Sequence, residues 1–222
     1  MVNSISRIVQ SIIDDDLSLQ EALHKGYGNY SSIARMLKPK VKDILGRDVK
    51  LESVITAVKR AKVSYRTLKG NVAKVIAKSV INIRTDVAKI SVEKTSRNLE
   101  KIRKTLANFS GEFFHMIEGI SAITLIFDQK LFDDICSIFP EKEVLDKRQG
   151  LAAIILRSPV EMIKTPGCVL AFYSTVSRKH INIEETMSCF TDTIIVVSME
   201  DVSKAFAALT ELIAEAREFV VA

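Results

Sequence analysis

The chain has no tryptophan, and only 3 cysteines, 4 prolines and 8 glycines occur among its 222 residues. So few glycines and prolines exclude a collagen-like or linker-like chain. The cysteines, Cys136, Cys168 and Cys189, are far apart and form no CxxC pair. A sparse, odd number of cysteines favours reduced thiols in a cytoplasmic protein over a disulfide framework.

Long apolar runs are also missing. No stretch approaches the ~20 apolar residues that a membrane helix needs, and acidic residues 14–16 follow the N-terminus too early for a secretory signal. We therefore expect no membrane partner. Hydrophobic residues make up 47% of the chain and charged residues 27%, which is typical of a folded protein and excludes intrinsic disorder.

Charge is distributed unevenly along the chain. Residues 1–78 carry 15 Lys or Arg and 7 Asp or Glu, whereas residues 79–222 carry 17 and 20. A basic first third favours an anionic partner such as nucleic acid. A helical surface with solvated lysines has the same composition, so both interpretations stay open.

Helical spacing predicts short amphipathic helices over 1–78. Ser18 and Glu21 form a capping-box pattern that opens a helix over 19–24. A second helix starts near Ser31, is broken or restarted at Pro39, and ends at Gly46.

A third apolar stripe, over 51–58, is followed by basic residues, which is compatible with a helix-turn-helix that binds duplex DNA. A plain three-helix bundle has the same pattern. The predicted phosphate contacts are Lys50, Lys59, Arg60, Lys62 and Arg66.

From residue 79 onward the pattern predicts an α+β fold in which the order βαββα occurs twice. A phase change in the first strand predicts a bulge near Asp86. The predicted domains are a helical domain 1–78, a first βαββα unit 79–150 and a second unit 151–222. The predicted elements after 78 are strand 79–93, helix 96–107, strands 113–118 and 120–127, helix 130–139, edge strand 143–147, strand 151–156, helix 168–179, strands 181–187 and 193–198, and helix 201–218.

The second unit resembles an ACT domain, a small regulatory domain that binds amino acids. Thr165-Pro166-Gly167-Cys168 is followed, fourteen residues after Gly167, by Ile181-Asn182-Ile183-Glu184. With Met162 a few residues before this turn, the pattern also resembles the tandem regulatory region of aspartokinases. The resemblance covers 151–216 well and 79–150 only by the order of elements, and no kinase domain fits in the chain.

The resemblance implies two ferredoxin-like ACT-type domains that pair through their sheet edges, and hence a homodimer or larger assembly. Two positions depart from the family pattern. Ser158 and Pro159 stand where glycines are usual in the loop after the first strand. His180 stands where a glycine usually precedes the Ile-Asn-Ile strand, so we expect a left-handed backbone at a histidine there.

The resemblance also implies an amino-acid site at the Gly167 turn. A ligand carboxylate is expected on the N–H groups near Cys168 and Val169, because a helix N-terminus favours an anion. Asn182 or Glu184 would accept the ligand ammonium. The alternative is a tight turn without a ligand. The first unit lacks a glycine at 94–97, so we expect that loop to be structural or to offer Arg97 to a shared site. The candidate ligand residues are Met162, Thr165, Pro166, Gly167, Cys168, Val169, Asn182, Ile183 and Glu184.

Catalytic motifs are missing, and the histidines lie in different predicted elements. No HExxH, GxGxxG, GxxxxGK[ST] or GxSxG occurs, so we expect no enzyme, no cofactor and no metal.

The leading hypothesis is a regulator that senses an amino acid and binds duplex DNA. The alternatives are a stand-alone subunit that docks on a biosynthetic enzyme, and a small enzyme with a reactive Cys168.

Overall fold

The computed structural model describes residues 4–62, 65–106 and 111–221, without the side chains of 65–69 and 106. The chain forms two compact units, Met1–Asn71 and Val72–Ala222. Helix α5 (Tyr65–Ala77) runs across this division.

The described part of the first unit is helical. Its buried apolar side chains, which include Ile13, Val41 and Val54, form one cluster. The helix-turn-helix stays a prediction. The elements before α5 are α1 (Ile5–Asp14), α2 (Leu17–His24), α3 (Tyr30–Leu45) and α4 (Leu51–Arg60).

The start of α2 differs from the capping-box prediction. Asp16 Oδ1 accepts hydrogen bonds from the backbone N–H groups of Ser18 and Leu19, at 2.9 and 3.0 Å. The carboxylate satisfies the free donors of the first turn, so Asp16 is the cap and Ser18 lies inside the helix.

The predicted break at Pro39 is also wrong. Helix α3 is continuous through Pro39. A proline removes one backbone donor, and Leu37 and Val41 on either side of it are buried, so the packed apolar face holds the helix together. Gly46, with φ 66°, ends α3 in the left-handed conformation, as predicted.

The second unit contains a six-stranded antiparallel sheet with strand order β2-β3-β1-β4-β6-β5. Strand, helix, strand, strand, helix occurs twice in succession along the chain. The elements are β1 (Val80–Glu93), α6 (Ser96–Leu106), β2 (Phe114–Glu118), β3 (Ala122–Asp128), α7 (Phe132–Ser137), β4 (Val144–Arg157), α8 (Cys168–Ser177), β5 (Glu185–Cys189), β6 (Asp192–Ser198) and α9 (Val202–Val221).

The long strands β1 and β4 pair with each other from Val80↔Arg157 to Val92↔Val144. The second half of β1 also pairs with β3, and the second half of β4 pairs with β6. The second part of each long strand therefore belongs to one half of the sheet. The first part of the same strand lies beside the other half.

Strand β4 corrects two sequence predictions. The expected edge strand 143–147 and the expected strand 151–156 are parts of this one strand, joined through Gly150. Gly150 has φ 68°, and Asp86, at the same position in β1, has φ 54°. A register shift between Arg84 and Val87 spans Asp86, which confirms the predicted bulge. The predicted strand 181–187 begins only at Glu185, and Ile181 before it is buried.

The bulge divides the apolar residues of β1 between two helix-covered cores. Ile81 packs against the core that contains Phe172 and Leu209, whereas Ile90 lies in the core that contains Ile102 and Ile135. A further apolar cluster consists of strand residues alone: Val87, Ile126, Leu151, Ala153, Ile194 and Val196.

We predict that Gly150→Ala lowers the free energy of unfolding by about 1 kcal/mol, because an L residue with a Cβ disfavours the left-handed backbone. No atom lies within 4 Å of the Cβ position at Gly150, so the cost is one of backbone conformation alone. Gly150→Asn is the matched control and costs less, because asparagine tolerates this conformation. Thermal melts of the two variants make the comparison, and equal losses would contradict the backbone explanation.

Candidate functional site

The turn before α8 has the geometry that a bound anion needs. Gly167 is the residue before the helix and has φ 97°, which side chains other than glycine rarely adopt. Gly167 has no side chain that could cap the helix, and the first N–H groups of any helix have no intrahelical acceptor. The positive end of the helix dipole lies at this turn.

Helix α5 packs beside this turn. Val72 Cγ2 lies 3.3 Å from the position a Cβ would occupy at Gly167. Just after α5, Ser79 Oγ and Ser158 Oγ form a buried hydrogen bond of 3.0 Å. The end of α5 is thus fixed against the segment that leads into the candidate site.

The residues before Gly167 have structural partners of their own. Thr165 Oγ1 donates to the backbone carbonyl of Glu161 at 2.7 Å. Met162 packs against the core of this half of the sheet. Pro166 and Gly167 complete the turn, and Val169, on the first turn of α8, is 36% exposed.

Cys168 is 1% exposed, and burial raises the pKa of its thiol above the ordinary value. A buried thiol with a raised pKa carries little thiolate at neutral pH, and thiolate is the reactive form. The structure therefore contradicts the hypothesis of a reactive Cys168 and favours the role of a small packing residue.

Asn182, Ile183 and Glu184 lie just before β5. Ile183 packs against the core, and Asn182 Nδ2 donates to Glu184 Oε1 at 2.9 Å. His180, before them, has φ 57°, which confirms the left-handed backbone predicted there. No hydrogen bond or ion pair in the described parts of the chain joins these residues to the Gly167 turn.

Glu184 belongs to a charged cluster, defined here as Lys89, Asp146, Arg148 and Glu184. Its side chain is 9% exposed and lies 3.0 Å from Arg148 Nη1 and 3.6 Å from Lys89 Nζ. Two cations already neutralise this carboxylate, so Glu184 is not the free ammonium acceptor that the sequence suggested.

Lys89 is the buried cation of the charged cluster. Its ammonium lies 3.2 Å from Asp146 Oδ2 and donates to the backbone carbonyl of Glu184 at 3.1 Å. Sequence reasoning missed Lys89, although a lysine between Ala88 and Ile90 in an apolar strand was a signal. Burying a charge is costly unless it is paired, and the pairing here requires residues from distant parts of the chain.

The predicted nucleic-acid residues lie around α4. Lys50 precedes the helix, Lys59 and Arg60 end it, and Lys62 follows; all four side chains are exposed. The Gln10 side chain makes two hydrogen bonds to the backbone of Lys62, at 2.8 and 2.9 Å, and so fixes this end of the helix. The side chain of Arg66 lies outside the described residues.

Among the described residues, no group of His, Cys, Asp and Glu side chains is placed to hold a metal ion. None of the described helices has the length and apolar character needed to span a membrane.

Three solved structures share the fold of part of this chain. The aspartate kinase of Clostridium acetobutylicum is 21% identical, with a TM-score of 0.50, over 61% of this chain and 34% of the enzyme. This chain therefore spans about a third of that enzyme. The regulatory subunits of aspartate kinase from Thermus thermophilus and Thermus flavus are 16% and 15% identical, with TM-scores of 0.50 and 0.51, over 60% of this chain and 95% of each subunit.

These likenesses confirm a mixed helix and sheet fold, shared with the regulatory subunits of aspartate kinase. At such low identity they show the fold alone. No protein-family model matches the chain, and no curated protein matches it.

We predict that a thiol reagent modifies Cys189 much faster than Cys168 in the folded protein. Cys189 is exposed, whereas Cys168 is buried and its pKa is raised by that burial. Mass spectrometry of labelled peptides over time gives the two rates. Labelling in denaturant is the control and should remove the difference, whereas equally fast modification in the folded protein would contradict the assignment.

We predict that Glu184→Gln destabilises the protein by about 1–3 kcal/mol, because it removes one of the two carboxylates that neutralise buried Lys89. Glu185→Gln, at the next residue, has no ion pair to lose in the described structure and should change stability by less than about 0.5 kcal/mol. In the double variant Lys89→Met/Glu184→Gln the loss should be smaller than the sum of the two single losses. Urea unfolding measures all four variants, and additive losses would show that the pair does not interact.

Proposed function

We propose that this chain is a non-enzymatic regulatory protein that binds an amino acid at the Gly167 turn. The observation that carries the proposal is the uncapped N-terminus of α8 behind a left-handed glycine. The ligand carboxylate lies on the N–H groups of Cys168 and Val169, where charge-assisted hydrogen bonds and the helix dipole stabilise it.

The ligand ammonium is assigned to Asn182 Oδ1. Glu184 is already neutralised by Arg148 and Lys89, whereas the Asn182 amide oxygen makes no hydrogen bond among the described residues. Asn182 is exposed and therefore accessible to a ligand.

The strand pairing supports an interpretation as two ACT-type units. In one unit β1, β2 and β3 combine with the first half of β4, and in the other β4, β5 and β6 combine with the first half of β1. Each unit then has the four-stranded sheet of a ferredoxin-like fold. The outermost strands, β2 and β5, have an edge available for pairing in a homodimer.

Helix α5 runs along the chain from the first unit into the second, where Val72 lies beside the Gly167 turn. A ligand that binds two arrangements of this turn with different affinities shifts their populations by that difference.

We propose two alternative outputs of such a switch. The side chains of Lys50, Lys59, Arg60 and Lys62 are exposed and would be accessible to the phosphates of duplex DNA. The match to 95% of two regulatory subunits favours the alternative, a subunit that docks on an amino-acid biosynthetic enzyme.

We predict that one of the twenty amino acids raises the thermal stability of the protein, by about 2.7 kcal/mol at 100 times its Kd. The same ligand should shift the amide resonances of Cys168 and Val169. Asn182→Ala should weaken binding about tenfold, because it removes a hydrogen bond to a charged group, while Ser188→Ala, on the neighbouring strand, should not. Absence of any hit would overturn the proposal.

The output is tested by fluorescence anisotropy with a labelled DNA duplex at low salt, with and without the ligand. Lys59→Ala/Arg60→Ala should reduce the salt dependence of log K by about two units, whereas the control Lys142→Ala/Lys164→Ala should leave it unchanged. An amino-acid ligand without any DNA binding would favour the docking subunit over the DNA-binding regulator.

A further inference from the structure

We infer that the second unit contains a conformational device, in which two arginine–carboxylate bridges couple the halves of the sheet so that neither half unfolds without the other. The first half consists of β2, β3 and the adjoining parts of the long strands, residues 87–93 and 144–148. The second half consists of β5, β6 and residues 151–157 and 80–84. The inference does not depend on a ligand at the Gly167 turn.

Each long strand crosses from one half to the other at a left-handed residue, Asp86 in β1 and Gly150 in β4. An arginine stands two positions before each crossing, Arg84 in β1 and Arg148 in β4. Strand β1 runs from the second half into the first, and β4 runs from the first half into the second. The internal repeat therefore places one guanidinium group at each crossing.

The bridge at the β1 crossing joins Arg84 of the second half to Asp128 of the first half. Arg84 Nε donates to Asp128 Oδ1 at 2.9 Å, and Arg84 Nη2 donates to both carboxylate oxygens at 2.6 and 2.7 Å. Asp128 ends β3, and its side chain is 6% exposed. Burial raises the pKa of Asp128, but hydrogen bonds from Arg84 and from the Phe113 backbone N–H outweigh burial and leave the pKa below its ordinary value. Asp128 is therefore an ionised carboxylate whose cation comes from the other half.

The bridge at the β4 crossing has the reverse direction. Arg148 of the first half donates through Nη1 to Glu184 Oε1 at 3.0 Å. Glu184 belongs to the second half, because its backbone N–H donates to the carbonyl of Val196 on β6 at 2.8 Å. Lys89 of the first half donates to the backbone carbonyl of Glu184 at 3.1 Å, and the Glu184 side chain is 9% exposed. Each half thus holds a nearly buried carboxylate that is paired with an arginine of the other half.

This exchange of charges makes the coupling reciprocal. If one half unfolds, a buried carboxylate of the other half loses its arginine, and an uncompensated buried charge is strongly destabilising. The same penalty applies in both directions, as any coupling free energy requires. The halves also share an apolar cluster, with Val87 and Ile126 from the first half and Ile194 from the second. The experiment therefore separates the contribution of the bridges from that of the apolar cluster.

The test asks whether a defect in one core is felt in the other. Ile135→Ala creates a cavity in the core of the first half, where Ile135 is fully buried on α7. Native-state hydrogen exchange on the whole chain follows the amide of Ile90 in the first half and that of Ile195 in the second. We expect both amides to exchange about thirtyfold faster or more, because coupled halves unfold together. Leu209→Ala, in the core of the second half, should accelerate the same two amides.

The bridge-free protein carries Arg84→Met, Asp128→Asn, Arg148→Met and Glu184→Gln. In this protein the first-half cavity should accelerate the first-half amide as before, and the second-half amide by less than about threefold. If the four changes together prevent folding, the two bridges are removed in separate proteins. Each removal should then reduce the acceleration of the second-half amide.

The matched control removes an arginine–carboxylate pair that lies within one half. Arg157 on β4 and Asp192 on β6 pair at 3.3 Å, and both belong to the second half. Arg157→Met/Asp192→Asn should leave the acceleration of both amides unchanged. An Ile195 amide that does not respond to Ile135→Ala when both bridges are present would overturn the proposal. Equal acceleration of both amides in the bridge-free protein would also overturn it, because the apolar cluster would then account for the coupling.

Discussion

The antiparallel pairing of β1 with β4 is the constraint on which the second unit depends. These two strands lie at the centre of the sheet, and every other strand is added on one side or the other of them. The pair is long because each strand serves both halves of the sheet. Neither half is complete alone, since its fourth strand is the first part of a strand that belongs to the other half. Both helix-covered cores are therefore tied to one register.

This sharing explains where charge is buried. Lys89 and Arg148 are paired residues on β1 and β4, and the Glu184 carboxylate lies between their cationic groups. On β1, Arg84 holds Asp128 in the same manner, and Arg84 and Arg148 are both the fifth residue of their strand. Each long strand thus has an arginine–carboxylate pair beside its left-handed residue. Glu184 is closed in by two cations, whereas the Arg84 pair borders an open surface.

Backbone conformation and lack of space both require a glycine at residue 167. Its φ of 97° suits glycine alone, and Val72 leaves little room for a side chain there. A tight turn with a helix packed against it needs glycine for the fold, and close approach of a ligand to the N–H groups would need it as well.

Local patterns in the sequence determined most element types and the bulge at Asp86, because these depend mainly on neighbouring residues, whereas the left-handed His180 was expected from the family resemblance. Local patterns failed at Asp16, whose carboxylate caps the helix in place of the predicted capping box. They also failed at Pro39, where packing of the apolar face keeps the helix continuous. Only the tertiary structure showed that 144–157 is one strand, that Lys89 is buried against Glu184, and that Arg84 is paired with Asp128. These features depend on residues that lie tens of positions apart in the sequence. Whether a charged side chain is neutralised depends on ion-pair partners that only folding brings close to it.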